Sequence, residues 1–405
     1  SMDYGYQAPA WGSNGGAPFA IQMESAPSPW EGNHHILRVG VQGQEIPASA
    51  RKPVHLTFLV DTSGSMSSPD KLDLAKQSLH ELVGNLGEED TVAIATYAGG
   101  SVIVLEPTSA LRQATLHRAI ETLSSGGGTH MDSGMNLAYQ MASESYLHGA
   151  ENRVIVLSDG DANIGRTTHE EILRTVQHHA EEGITLTTVG FGMGNYKDTM
   201  MEQLANKGDG NYFYVDSMAE AQEVFGEDLS GTITTIAKDV KIQVEFNPDA
   251  VIAYRLIGYE NRDIADKDFR NDRVDAGEIG SGHAVTALYD VVLRDDASSR
   301  ELATVRLRAK APGPDSAAKE WATVMDGELM HRELAASSRE LRLAVAAASF
   351  AELLRGSPYM VEVSYADVWN LAKAASRGTA EDSELLELIS TAARLSGEGG
   401  PVATR

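Results

Sequence analysis

Short apolar runs alternate with amphipathic segments between residues 53 and 231. This alternation predicts strands followed by helices, which is the pattern of an α/β fold with a doubly wound, mainly parallel sheet. Several of the runs are apolar on both faces, as strands covered by helices on two sides are. The predicted strands span 54–61, 91–98, 153–159, 184–192 and 211–216, and the predicted helices span 71–86, about 110–123, 131–147, 169–182, 199–207 and 218–230.

Two local patterns refine this domain. The apolar run 101–107 follows 91–98 after only Gly99 and Gly100, which is too short a link for a crossover helix, so we expect an antiparallel edge strand. In the helix that begins at Lys71, apolar residues recur at helical spacing and form one buried stripe. The lysines and acids of this helix are therefore predicted to face solvent.

The regions before and after this domain have a different pattern of apolar and polar residues, which is typical of strands. Residues 19–50 contain two predicted strands, and residues 236–326 contain further strand-like runs at 240–246, 251–259, 283–293 and 304–309. Two strands alone do not form a stable domain. We therefore predict one β-sandwich built from both regions, with the α/β domain of 53–231 inserted between them.

The two ends of the chain complete the predicted organisation. Residues 1–18 are rich in Gly, Pro and Ala without periodicity, and we interpret them as a flexible or surface-draped segment. Residues 327–397 carry apolar positions at helical spacing, which predicts a C-terminal helical region.

Composition and charge exclude several classes of function. The formal net charge of −25 repels phosphate backbones, so nucleic acid is not expected as a partner. The chain has no cysteine, which excludes disulfides, Cys-ligated zinc, iron–sulfur clusters and thiol nucleophiles. No run of about 18 apolar residues is present to span a bilayer.

A set of oxygen-bearing side chains follows the first strand of the α/β domain. Asp61, Ser63 and Ser65 form the motif D-x-S-x-S at the carboxyl end of that strand, which is where open α/β sheets bind ligands. Alternate side chains there direct one carboxylate and two hydroxyls to a common point. These hard oxygen donors suit magnesium, manganese or calcium, whereas zinc and iron favour nitrogen or sulfur.

Two later loops of the same sheet offer further oxygen donors. Thr129 follows three glycines, and Asp159 ends the strand predicted at 153–159. Each feature alone is explained by a helix cap or a turn. Their order and placement together instead predict one metal site, because sequence-distant strand ends converge in this architecture.

The motifs DTSGS, GGGTH and LSDG resemble the metal-ion-dependent adhesion site of von Willebrand factor A domains. The segments SDGDANIG, RLIGYENR and DAGEIGSGHAVTALYD are similar to bacterial cell-envelope proteins that join this domain to a poorly characterised C-terminal region. The resemblance implies that Ser63 and Ser65 bind the ion directly. It also implies that Asp61 and Asp159 bind it directly or through water, and that Thr129 joins when a ligand is engaged.

The resemblance further implies a partner and a location. Five protein donors leave a coordination position of an octahedral ion, Mg²⁺ in the first instance, for an Asp or Glu carboxylate of a protein ligand. We interpret Ser1 ahead of Met2 as a remnant of tag cleavage, and expect a removed export signal and a cell-envelope or secreted location rather than a cytoplasmic one.

Three classes of function remain open. A non-catalytic, metal-dependent adhesion or scaffold module is favoured. A metal-dependent hydrolase would need a general base, and no histidine base for Ser63 or Ser65 can be identified from the sequence. An intracellular adaptor for a chelatase-like ATPase is the third class, which a native export signal would contradict.

Overall fold

The computed structural model describes residues 4–9, 17–160, 166–192, 198–227, 233–258, 269–270, 277–312 and 316–397. Its strands fall into three sheets, one of six strands and two of four. The strands are β1 (Phe19–Pro27), β2 (His34–Gly43), β3 (Val54–Asp61), β4 (Thr91–Tyr97), β5 (Ser101–Ser109), β6 (Glu151–Ser158), β7 (Ile184–Phe191), β8 (Tyr212–Val215), β9 (Thr235–Phe246), β10 (Val251–Ile257), β11 (Ile279–Gly280), β12 (Ala284–Leu293), β13 (Glu301–Lys310) and β14 (Lys319–Asp326).

The helices divide between the α/β domain and the C-terminal region. They are α1 (Leu74–Gly84), α2 (Gln113–Glu121), α3 (Met131–Glu144), α4 (Arg166–Glu181), α5 (Asp198–Lys207), α6 (Met218–Gln222), α7 (Arg339–Arg355), α8 (Tyr365–Ala375) and α9 (Ala380–Leu395). A single π-helical turn, Pro69–Asp73, precedes α1, and another, Glu223–Glu227, follows α6. None of the described helices is long and apolar enough to cross a membrane.

The six-stranded sheet has the order β5-β4-β3-β6-β7-β8, and only the β4–β5 pair is antiparallel. The predicted α/β fold with a mainly parallel sheet is therefore confirmed. Every residue of the central strand β3 is buried. Its side chains alternate between two cores: Phe58 lies in the core with α1, α2 and α6, and Leu59 lies in the core with α3, α4 and α5.

The two four-stranded sheets contain the N-terminal strands as well as the later ones. Their orders are β1-β2-β12-β10 and β11-β9-β13-β14. Strand β2 pairs antiparallel with β12, with Val41 opposite Val285, so the predicted pairing of the N-terminal strands with the later ones is present. Leu37 of β2 and Val305 of β13 lie in one core, which shows that the two sheets pack on each other as a sandwich.

The α/β domain contacts the sandwich at the amino-terminal edge of its sheet. Arg153, near the start of β6, is buried and donates to Thr187 Oγ1 at 2.7 Å and to Thr235 Oγ1, at the start of β9, at 3.2 Å. Lys238 of β9 also forms an ion pair with Asp209 at 2.9 Å. Asp61 lies at the carboxyl edge of the sheet, which is the edge opposite to these contacts.

The structure describes part of each terminal region. Residues 1–18 were predicted to be flexible or draped over the surface, and the described residues 4–9 lie on the sandwich, where the Tyr6 hydroxyl is 2.7 Å from Thr286 Oγ1. Gly40 permits this contact, because a Cβ at that position would lie 2.0 Å from the Tyr6 ring.

The prediction for the C-terminal region needs correction, because this region is not helical from residue 327. Short 3₁₀ turns occupy Gly327–Leu329 and Leu334–Ala336, and α7 begins only at Arg339. The start is set by Ser338, whose hydroxyl accepts from the Leu341 amide. Strand β14, which pairs with β13, was not among the predicted strands because most of its residues are exposed and its apolar alternation is weak.

Candidate metal centre

The turn after β3 brings the three residues of the D-x-S-x-S motif together. The Ser63 amide donates to Asp61 Oδ1 at 2.9 Å, which holds the turn in shape. The hydroxyl oxygens of Ser63 and Ser65 lie 3.0 Å apart. Asp61 and Ser63 are buried, and Ser65 is half-buried. One carboxylate and two hydroxyls therefore converge at the carboxyl edge of the sheet.

Asp61 is deeper than expected for a residue at the end of a strand. Its side chain is fully buried. Its Oδ2 accepts hydrogen bonds from the Tyr97 hydroxyl at 3.0 Å and from Ser158 Oγ at 2.9 Å. Burial raises the pKa of Asp61, and the hydrogen bonds from Ser63, Ser158 and Tyr97 oppose that rise.

The loop that carries Thr129 is bonded to the backbone of the same turn. The Gly126 amide donates to the Thr62 carbonyl at 2.8 Å, and the Gly64 amide donates to the Gly127 carbonyl at 3.2 Å. Gly127 has a φ of +88°, a conformation that favours glycine. Thr129 is half-buried and follows Gly127 by two residues in this loop.

Asp159 reaches the centre from the end of β6 and is buried. The residue before it, Ser158, bonds Asp61 and also accepts from the Gly160 amide at 3.1 Å. The Lys71 ammonium donates to Asp159 Oδ2 at 2.9 Å and to the Ser65 carbonyl at 3.1 Å. Lys71 thus links the two strand ends that were predicted to converge.

Three of the residues that build the centre were not predicted. Tyr97 lies opposite Asp61 in the β3–β4 register, so strand pairing could have indicated it. Ser158 is part of the LSDG motif, so the motif could have indicated it. Lys71 carried no such signal. It was predicted to face solvent with the other charged residues of its helix, but its side chain is only 24% exposed and turns toward the sheet edge.

The donor set fits a hard cation. Carboxylate and hydroxyl oxygens are the ligands of magnesium, manganese and calcium. Within the described residues, no group of three or more His, Asp or Glu side chains is arranged to hold a metal ion, so a histidine-rich zinc site is absent from that part of the chain. The residues that would hold the ion are Asp61, Ser63, Ser65, Thr129 and Asp159.

Comparison with known protein families agrees with the fold and the motif. Residues 55–227 match the family described as von Willebrand factor type A domain. Residues 55–227 are a von Willebrand factor type A domain. Residues 231–395 match the C-terminal domain family described as "Uncharacterized protein YfbK, C-terminal". Von Willebrand factor type A domains commonly mediate protein–protein interactions.

Individual relatives extend the comparison beyond the von Willebrand factor type A domain. "Uncharacterized protein YfbK" of Escherichia coli (strain K12) is 37% identical over 382 residues, which cover 88% of this chain and 64% of that protein. The inter-alpha-trypsin inhibitor heavy chain H3 of Homo sapiens is 26% identical over 210 residues, which cover 49% of this chain and 23% of that protein. This chain therefore spans less than two thirds of either relative.

Among solved structures, a von Willebrand factor type A protein from Catenulispora acidiphila superposes with a TM-score of 0.53 at 16% identity. The superposition covers 92% of this chain and 89% of that one. It therefore supports a shared fold over the sandwich as well as the von Willebrand factor type A domain.

Proposed function

We propose that this protein is a non-catalytic binding module that holds a divalent cation, Mg²⁺, and uses it to recognise an Asp or Glu carboxylate of a partner protein. The observation that carries the proposal is the convergence of the Ser63 and Ser65 hydroxyls, 3.0 Å apart, beside the buried carboxylate of Asp61. Thr129 and Asp159 complete the set of oxygen donors.

Charge supports the same proposal. With a net charge of −25, the protein surface repels acidic ligands over most of its area. A divalent ion concentrates positive charge at one point, and five protein donors leave an octahedral position for a sixth ligand. A carboxylate of a partner protein is then attracted at that point and repelled elsewhere, which gives the interaction a defined geometry.

The contacts of the two serines favour binding over catalysis. In the part of the chain that the structure describes, the Ser63 hydroxyl contacts Asp61 and lies 3.0 Å from the Ser65 hydroxyl, and no histidine is hydrogen-bonded to either serine. A hydrolase would need such a base or a base placed to activate water. We place the module at the cell envelope or outside the cell, following the resemblance to envelope proteins.

The test is capture of partners by the immobilised full chain from separate envelope and cytosolic fractions of the source cells. We expect proteins to be retained in Mg²⁺ and released by EDTA. Asp61→Asn should reduce capture to the EDTA baseline, because the amide cannot neutralise the ion. Capture by Asp61→Asn equal to that of the parent, and insensitive to EDTA, would contradict the proposal.

Asp90→Asn is the matched control for the loss of a buried aspartate. Asp90 lies at the amino-terminal end of β4, is 1% exposed, and accepts from the Val54 amide at 2.9 Å, at the edge of the sheet away from the metal centre. This variant should capture the same proteins as the parent. Metal-dependent capture confined to the cytosolic fraction would favour the ATPase-adaptor class instead.

A further inference from the structure

Lys71 places a positive charge inside the candidate metal centre. Its ammonium lies 2.9 Å from Asp159 Oδ2 and 3.1 Å from the carbonyl oxygen of Ser65. Asp159 is 2% exposed, so little water screens this pair. A cation already stands beside two of the residues that the proposed function assigns to the metal ion.

The chain is built to hold the Lys71 side chain in this position. Lys71 lies in the π-helical turn before α1, an irregularity that often occurs at functional sites. Its aliphatic part crosses Gly192 at the end of β7, where a Cβ would lie 2.6 Å from Lys71 Cε and 2.8 Å from Cγ. Gly192 has a φ of +92°, and its carbonyl accepts from the Tyr214 hydroxyl at 2.8 Å, so this neighbour is itself fixed.

The ammonium changes the charge balance of the loaded centre. Two carboxylates, Asp61 and Asp159, would neutralise a divalent ion completely. With Lys71 included, the protein groups carry one net negative charge, and the loaded centre keeps one net positive charge. An ion with residual positive charge is held less tightly by the protein and attracts an incoming carboxylate more strongly.

We propose that Lys71 is a specificity-determining residue of the centre, which lowers the affinity for the metal ion and raises the affinity of the loaded centre for a carboxylate ligand. This inference rests on the proposed function, because it assumes that the ion and the carboxylate meet at Asp61, Ser63 and Ser65. It assigns to Lys71 a role toward both ligands that a solvent-facing lysine does not have.

The test measures two affinities in Lys71→Met, which keeps the length of the side chain and removes the charge. Calorimetric titration with Mn²⁺ should show binding about tenfold tighter than in the parent, since a repelling charge has been removed. Titration of the Mn²⁺-loaded protein with glutarate, followed by water-proton relaxation, should show carboxylate binding about tenfold weaker. Lys71→Arg, which retains the charge, should stay close to the parent in both titrations.

Lys76→Met is the matched control. Lys76 is on α1, and its ammonium contacts the Glu121 carboxylate at 3.2 Å, so this variant removes the same charge from the domain without touching the centre. Its Mn²⁺ and glutarate affinities should equal those of the parent.

Each outcome decides a different claim. Weaker Mn²⁺ binding by Lys71→Met would overturn the inference, because it would show that Lys71 holds the Ser65 loop in place and does not lower the affinity for the ion. Absence of Mn²⁺ binding in both proteins would overturn the inference and the proposed function together, whereas Mn²⁺ binding by the parent with no difference in the variant would overturn the inference alone.

Discussion

The proposed role of Asp61 as a metal ligand requires a charged carboxylate, whereas its burial disfavours the charge. As a proposed ligand of the ion it must be ionised, yet it is fully buried, and burial raises its pKa. Hydrogen bonds from Tyr97, Ser158 and the Ser63 amide offset part of this cost. These hydrogen bonds therefore hold the Asp61 carboxylate in place in the metal-free centre.

This environment predicts different effects for two substitutions of Asp61. Asp61→Ala leaves the Tyr97 hydroxyl, Ser158 hydroxyl and Ser63 amide without their acceptor, and an unsatisfied buried group costs about 1–3 kcal/mol. Asp61→Asn keeps an acceptor and removes the charge. We expect the free energy of unfolding of the metal-free Asp61→Ala protein to be lower than that of Asp61→Asn by about 1–3 kcal/mol, measured by urea denaturation at pH 7.

The raised pKa of Asp61 determines whether metal-free Asp61→Asn is more or less stable than the parent. The folded chain holds the Asp61 proton more tightly than the unfolded chain, so the ionised carboxylate costs stability at a pH above the folded pKa. Metal-free Asp61→Asn should therefore be at least as stable as the parent at pH 7. An Asp61→Ala protein as stable as Asp61→Asn would show that Asp61 does not hold these donors.

The spacing of the motif made the convergence of Asp61, Ser63 and Ser65 predictable, because alternate residues after a strand share one side. The depth of Asp61 was not predictable in the same way, since it depends on Tyr97 and Ser158 from neighbouring strands. Lys71 was the hardest case. The helical periodicity indicated that Lys71 faces solvent. The π-helical turn, the space beside Gly192 and the contacts with Asp159 and Ser65 instead hold its side chain inward.

At the scale of elements, Glu24 of β1 fixes the start of α7 against the sandwich. Its carboxylate accepts from the Ser338 amide at 2.6 Å and from the Ser338 hydroxyl, and it pairs with Arg38 at 3.0 Å and with His331 at 2.9 Å. Burial alone would raise the pKa of Glu24, but the hydrogen bonds from Ser338 and the charge of Arg38 lower it overall.

This cluster predicts a stability difference that depends on pH. A lowered folded pKa means that the ionised Glu24 stabilises the fold above the unfolded pKa, near 4.5, and that this contribution is lost as pH falls through the folded pKa. We expect Glu24→Gln to lower the free energy of unfolding by about 2 kcal/mol at pH 7, since hydrogen bonds to a charged group are lost. The difference from the parent should shrink below pH 4.5.

Glu245→Gln is the control for this prediction. Glu245 pairs with Arg306 in the same sandwich, but its side chain is 62% exposed, so its contribution should be small at every pH. A Glu24→Gln difference that stays constant between pH 7 and pH 3.5 would show that the ionisation of Glu24 does not stabilise the junction.

The elements differ in how far local sequence determined them. Strands β3, β6 and β7 are buried along almost their whole length, so their apolar runs identified them. Strand β14 lies at the edge of its sheet with most residues exposed, and its assignment needs the partner strand β13. The start of α7 depended on a cap at Ser338 rather than on the apolar periodicity, which extends further toward the N-terminus.

At the scale of the whole molecule, the insertion of one domain into another determines which surface is available. The chain leaves the sandwich after β2 and returns to it at β9, and the contacts of Arg153 and Lys238 hold the amino-terminal edge of the six-stranded sheet. The pairing of β2 with β12 could be predicted because two isolated strands needed partners. The contacts of Arg153 could not, since the apolar run of β6 does not indicate which residues this buried side chain meets.

The most direct test of the account is a crystal structure of the full chain grown in saturating Mg²⁺. We predict one octahedral ion bound directly by the Ser63 and Ser65 hydroxyls, with oxygen distances of about 2.1 Å. Asp61, Thr129 and Asp159 should contact it directly or through one water molecule. Crystals that show no ion between Ser63 and Ser65 in Mg²⁺, and none after soaking in Mn²⁺ or Ca²⁺, would contradict the account.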